Sequence, residues 1–366
     1  MTKLNCNESE SHFSLALAAG TVTGAIPLGD VSVVNLTDSE LVAGMDAGDV
    51  DIDTDIEQLE LFFAERLDAT WKPREDLHSL EYPLFSLQKS KDTRVRVFRN
   101  GDQIVRIIPS VVGAANIFDK DLLVYAATQI CKAADANQPV SRRIRFKVRD
   151  FLLYTGRSTG GASYTRILDS CRRLKGTTIE TNFDAGGTHI EVRGYSLIDD
   201  YGVTIYTANK QGALEVEVIL STWTYGSLMS RRVLTIHPGY FALAQGLERR
   251  LYDLAKKHCG DKLWWKIGLD KLYAKSGSAQ AQKYFRRDLV AVMEADQLPE
   301  FHIALDEEKA MVIFFRCDRE NRKQDKELTA NIHRELLSKK LTKWYFSLRR
   351  WDSKQQPQPQ LELLAS

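Results

Sequence analysis

Long apolar runs, paired cysteines and catalytic signatures are all missing from this 366-residue chain. No stretch of about 18 apolar residues occurs, so no membrane span is expected. The mild apolar stretch His12–Ala19 follows acidic rather than basic residues and reads as a poor signal peptide, so no secretory leader is expected. Cys6, Cys131, Cys171, Cys259 and Cys317 are odd in number and contain no CxxC pair, so neither a zinc ribbon nor a disulfide scaffold is expected. Cys131, Cys171 and Cys259 fall in helical stretches, where cysteine is mostly a small buried hydrophobe. A reducing, cytoplasmic setting follows. No GxxxxGK[ST], HExxH, GxSxG or Rossmann fingerprint is present. The seven scattered histidines include no His-x-His pair, which argues against metal-dependent nicking. No catalytic residue, metal ligand or cofactor is assigned.

What is present is a charge asymmetry. The net charge of +1 hides residues 1–70, where fourteen carboxylates face only Lys3 and Arg66. That segment carries −12 and the remainder +13. An acidic tail on a basic body is a charge asymmetry that calls for an explanation. Asp49, Asp51, Asp53 and Asp55 alternate like a metal-binding DxD pair, but lacking a rigid scaffold they read as a solvated acidic segment.

Periodicity organises the rest. Residues 1–70 read as largely unstructured, with one short helix over Ile56–Leu67. Strands are expected at Val95–Phe98 and Gln103–Ile108, around an Asn100–Gly101 turn. A helix over Asp119–Ala134, a strand at Ile144–Lys147, a helix over Val148–Tyr154, a Gly-rich turn and a helix over Ala162–Leu174 follow. Two strands, Thr177–Phe183 and Thr188–Tyr195, flank a turn at Asp184–Gly187. This is the winged-helix order, a helix-turn-helix with a β-hairpin attached.

The order then recurs. After a connecting hairpin (Val203–Thr207 and Leu214–Leu220) come a helix over Tyr240–Lys257, a strand at Leu263–Ile267 and a helix over Gly268–Ala274. A helix over Ala279–Ala295 and a hairpin (Phe301–Leu305 and Met311–Phe315) complete it. Lys147–Val148 resembles Lys266–Ile267 and Leu153–Tyr154 resembles Leu272–Tyr273, both at a spacing of 119. In the last helices Tyr164-Thr165-Arg166 resembles Tyr284-Phe285-Arg286 at 120, yet the apolar face Tyr164, Leu168, Cys171 matches Phe285, Leu289, Val292 at 121, and the buried face is the firmer guide to a helix's rotation. The expected fold is α+β, with two tandem winged-helix domains over 71–220 and 221–317. An acidic segment (1–70) precedes them and a basic, aromatic, partly helical tail (318–366) follows.

A DNA-reading helix needs an apolar back and a basic front, with its N-terminal half at the base edges. The second unit offers Gln280, Gln282, Lys283, Arg286 and Arg287. Arg and Lys pair with guanine, and Gln with adenine. The first offers Thr165, Arg166, Ser170 and Arg173, with Arg172 and Lys175 near the phosphates. Arg142, Arg143 and Arg145, and Arg94, Arg96, Arg99 and Arg106 on the first hairpin, add basic density. The acidic tip Asp306–Glu307–Glu308 is expected to stay off DNA, while Gly186–Gly187 leaves the first tip open to it. The tail interleaves Lys339, Lys340, Lys343, Arg349 and Arg350 with Trp344, Tyr345, Phe346 and Trp351. That pattern suits nucleic acid, and equally a helix docked on the body.

Several stretches resemble the bacterial plasmid replication initiator protein A family: Leu77–Leu87 (LHSLEYPLFSL), Arg145–Leu152 (RFKVRDFL), Tyr164–Leu168 (YTRIL), Arg249–Tyr252 (RRLY) and Tyr284–Leu289 (YFRRDL). The resemblance runs from about Leu77 to Phe315. It implies a tandem winged-helix initiator that binds repeated sites (iterons) in double-stranded plasmid origin DNA, helps to melt nearby DNA, and recruits the host initiator and replicative helicase. It also implies repression of its own gene by a dimer, with monomer–dimer exchange. The rivals are a transcriptional repressor without an initiation role, a DNA-processing nuclease or recombinase, and a winged-helix module that binds protein.

Overall fold

The computed structural model describes residues 25–27 and 60–318, apart from 69, 101–102, 183–192, 207–212, 261 and 307–308, together with 325, 327 and 331. The first strands are β1 (Ala25–Pro27) and β2 (Leu61–Phe63). Both lie in the segment read as largely unstructured, and β2 replaces part of the helix expected over Ile56–Leu67. Leu61–Phe63 pairs in parallel with the strand at Arg143–Arg145, and Leu67 is buried in the main core. A sheet edge and a buried leucine outweigh helical spacing there.

β3 (Arg74–Asp76) leads into α1 (Leu77–Glu81), where the Asp76 carboxylate accepts from the amides of His78 and Ser79, each at 3.0 Å. This is an ordinary N-cap. β4 (Arg96–Asn100) and β5 (Gln103–Ile108) form the expected hairpin, with Asn100 opposite Gln103. α2 (Lys120–Asp135) is buried nearly all round, including its polar Lys120, Asp121, Thr128 and Gln129. Its Leu122, Tyr125, Ala126 and Ile130 enter the larger core, and its Val124 enters the smaller one.

The first unit continues with β6 (Arg143–Lys147), α3 (Val148–Tyr154) and α4 (Gly161–Gly176). β7 (Thr178–Thr181), β8 (Arg193–Ser196), β9 (Ile198–Tyr206) and β10 (Ala213–Leu220) follow. α5 (Thr222–Met229), which has no clear apolar face, and the three-residue β11 (Val233–Thr235) are not legible in the sequence. Pro238–Ala242 is a 3-10 turn rather than the start of a long helix. α6 (Gly246–Cys259) begins later than expected because the Glu248 carboxylate accepts from the Gln245 amide at 2.9 Å. A Cβ on Gly246 would stand 2.1 Å from the Leu87 carbonyl oxygen, so only glycine admits that crossing. β12 (Trp264–Gly268), α7 (Leu269–Ser276), α8 (Gln282–Ala295), β13 (Phe301–Asp306) and β14 (Met311–Arg316) complete the second unit.

One spacing relates the two units. Arg143 and Trp264 begin β6 and β12, Val148 and Leu269 begin α3 and α7, and Gly161 and Gln282 begin α4 and α8. Each pair is 121 residues apart. The spacing of 119 suggested by Lys147–Val148 and Lys266–Ile267 is therefore corrected. At 121, buried Phe146, Val148 and Phe151 fall on buried Ile267, Leu269 and Leu272. Shared burial sets the register, and the repeated dipeptides are coincidental.

The sheets bring a second correction. In the second unit the order is β12-β14-β13. Its counterpart in the first unit is β6-β10-β9, extended by β2. The hairpin closing on β6 is thus β9–β10, which the sequence reads as a mere connection. The hairpin β7–β8, read as the wing, lies in another sheet of order β1-β4-β5-β7-β8. The in-register ladder of Ile144 with Val218 and Phe146 with Val216 buries four apolar side chains and fixes this choice. Gly186–Gly187 and Glu307–Glu308 lie outside the described residues, as do all the tail residues named above.

Candidate nucleic-acid interface

The turn between α7 and α8 is shaped by Gly277. α7 ends on this residue, in the left-handed region at φ +70°, and a Cβ there would meet Pro83 Cβ at 2.5 Å. Both facts require glycine. The Tyr273 hydroxyl donates to the Gln280 carbonyl at 2.7 Å and ties the turn to α7. α8 starts at Gln282, three residues later than expected, so Gln280 sits in the turn before it. Phe285, Leu289 and Val292 face the smaller core.

The opposite face of α8 carries Gln282, Lys283, Arg286 and Arg287, all exposed. Gln282 Nε2 donates to Asp270 Oδ1 at 2.5 Å. Arg287 Nη2 lies 2.8 Å from Asp288 Oδ1. Such an exposed pair contributes little to stability and yields readily to a stronger anion. Between the cations stands Tyr284, 44% exposed, with Lys283 Nζ 4.8 Å and Arg287 Cζ 5.4 Å from its ring centroid. Sequence reasoning placed no role on Tyr284. Its spacing, one residue off the buried face, was the available signal.

The first unit presents less. Thr165, Arg166 and Arg172 are exposed on α4, with Arg172 paired to Asp169 at 3.0 Å. Lys175 pairs with Asp200, and both are half-exposed. Ser170 is withdrawn from the exposed face of α4: it is buried and donates to Asp119 Oδ1 at 2.7 Å. Arg173 also turns inward, with Nε and Nη2 each 2.7 Å from the Asp119 carboxylate.

The three arginines around β6 are likewise occupied. Arg142 is buried and reaches Asp199 at 2.5 Å. Arg143 and Arg145 share Glu217 on the neighbouring β10, at 2.8 and 2.5 Å. Arg96 is buried and donates to the Pro83, Leu84 and Phe85 carbonyls, while Arg94 and Arg106 pair with Asp92 and Glu180. These side chains hold strands and loops together. A basic residue opposite a carboxylate on the next strand is a cross-strand pair, which no linear charge count reveals.

The two units are joined by buried charge. Lys120 of α2 lies 2.6 Å from Glu75 and 2.7 Å from Asp253 of α6. Asp121 accepts from Arg249 of α6 and from Arg157 of the first unit, each at 2.5 Å. Arg250 donates to the Leu80 and Glu81 carbonyls that end α1, at 2.8 and 2.7 Å, and to Lys275 O near the end of α7. Arg249 and Arg250 are therefore structural. The free oxygens of Glu75 and Asp253 are buried without a hydrogen-bond partner. Burial outweighs the pull of Lys120 and pushes the Glu75 carboxyl up to about 8, with Asp253 also raised. Burial raises the Cys171 thiol to about 12 and that of Cys259 to about 11, so both stay protonated. Among the described residues, no group of three His, Cys, Asp or Glu side chains is placed to hold a metal, and no helix is long and apolar enough to cross a membrane.

Comparison with known proteins follows the same stretch of chain. Residues 74–303 match a family described as replication initiator protein A. A putative replication protein of Wigglesworthia glossinidia brevipalpis is 35% identical over 242 residues, covering 66% of this chain and 88% of that one. Among solved structures, a selenomethionine derivative of domains 2 and 3 of RctB aligns with a TM-score of 0.52 at 12% identity, over 67% of this chain and 99% of that one. A second structure of RctB domains 2–3 aligns at a TM-score of 0.46 and 12% identity, over 64% and 95%. The first of these places the mixed α+β architecture among known folds.

Proposed function

The chain belongs to the replication initiator protein A family, and from that premise we propose that it starts plasmid replication by gripping repeated origin sites with two tandem winged-helix units. One observation carries the reading. Strand, helix and helix recur at a constant 121-residue spacing, and the last helix of the second unit sets Lys283, Arg286 and Arg287 over a buried back. On this reading α8 enters the major groove, where Arg286, Arg287 and Lys283 reach guanine or phosphate and Gln280 and Gln282 flank them. In the first unit Thr165 and Arg166 face the bases, while Arg172 and Lys175 hold phosphates. The buried joint between the units fixes their separation on the duplex. Origin opening, recruitment of the host initiator and helicase, and repression of the protein's own gene as a dimer complete the proposal, on the strength of the family.

The test is a binding titration of the full chain. A duplex carrying the repeats upstream of its gene is compared with a scrambled duplex across a salt series. The expected outcome is preference for the repeats and a slope near −0.9 in log K per phosphate contact. Equal weak binding to both duplexes, with no salt dependence, sinks the reading.

A further inference from the structure

Tyr284 stands out against its surroundings. It is the third residue of α8, in the half of the helix that enters the groove, and its ring is 44% exposed. The core-facing residues of α8 are Phe285, Leu289 and Val292, so Tyr284 is not needed for packing there. Its face is engaged by two cations of the same helix, Lys283 and Arg287. They pack on its face and leave its edge and hydroxyl to a partner. A side chain with two torsions loses little freedom when it is then covered. In the first unit the residue 121 positions earlier is Ser163, which is buried. The feature therefore belongs to the second unit alone.

From these observations, and resting on the DNA-binding reading above, we infer that Tyr284 is a specificity-determining residue that packs its ring edge on the 5-methyl group of a thymine in the major groove. The thymine methyl is the one apolar group a base pair offers there. The flanking ammonium and guanidinium give the ring its register by pairing with phosphate or guanine on either side. The two units consequently read different bases, and the preferred site is asymmetric about its centre.

The test replaces each thymine of the repeat duplex in turn by deoxyuridine, which removes the methyl and keeps the base pair. Affinities are measured by fluorescence anisotropy for the wild type, Tyr284→Phe and Tyr284→Ala. At one thymine the wild type is expected to weaken about fourfold, the effect of burying one methyl group. Tyr284→Phe keeps that sensitivity. Tyr284→Ala binds the thymine duplex about fourfold more weakly and is indifferent to the same deoxyuridine. Circular dichroism melts check that Tyr284→Ala stays folded. Repeat preference with every deoxyuridine effect identical in wild type and Tyr284→Ala overturns this inference alone. Loss confined to single-stranded DNA also overturns it, and assigns the ring to stacking on unpaired bases. A wild type without repeat preference overturns both readings.

Discussion

Glu75→Gln is expected to make the protein more stable at alkaline pH, although it removes one member of a buried ion pair. Lys120 sits between two carboxylates, Glu75 and Asp253, and all three side chains are buried. One ammonium cannot neutralise both. Burial pushes the Glu75 carboxyl from its ordinary 4.5 up to about 8. Between those values the folded chain holds a proton that the unfolded chain has released. This stabilising contribution is full below about pH 4.5 and fades as pH rises through 8. The slope is about 1.4 kcal/mol per pH unit, so about 3 kcal/mol is lost over two units. Glutamine keeps an oxygen for Lys120 and cannot ionise. Urea denaturation, followed by tryptophan emission at about pH 5.5 and 8.5, should show the wild type losing stability and Glu75→Gln losing much less. Lys120→Met, which strands both carboxylates, should cost about 3–5 kcal/mol at the higher pH. Parallel pH profiles for wild type and Glu75→Gln would refute the reasoning.

Two further substitutions separate reading from scaffolding. Arg287→Ala should leave the melting temperature unchanged and reduce discrimination between repeat and scrambled duplex by roughly 1–3 kcal/mol. Arg173→Ala should instead lower stability by on the order of 3 kcal/mol, because it strips the buried Asp119 carboxylate of its cation; unchanged stability would return Arg173 to the DNA face. Gly277→Ala should lower stability by about 1–3 kcal/mol through the left-handed backbone and the clash with Pro83. A thermal melt identical to that of the wild type would show that the turn relaxes freely.

Local order is legible in the sequence. The 3.6-residue spacing of Phe285, Leu289 and Val292 marks the buried face of α8, and alternation marks β4, β5 and β10. The sequence places a helix over Val148–Tyr154, the bounds that the structure shows. The repeat, the charge asymmetry and the family resemblance also follow from sequence alone. Where short-range signals compete they mislead. Helical spacing over Ile56–Leu67 gave way to a strand at Leu61–Phe63, because a sheet edge was there to receive it. Repeated dipeptides suggested 119, while burial set 121.

Partner choice belonged to the tertiary structure. Which hairpin closes on β6 depends on Val216 and Val218 meeting Phe146 and Ile144, some seventy residues earlier. Arg143 and Arg145 read in the sequence as unpaired cations, and the fold sets Glu217 beside both. Lys120 finds Asp253 across 133 residues. Amphipathic spacing is a property of neighbouring residues and is written in their order. Strand pairing and ion pairing minimise the free energy of groups far apart in the chain, so only the folded arrangement determines which basic side chains remain on the surface to meet an anion.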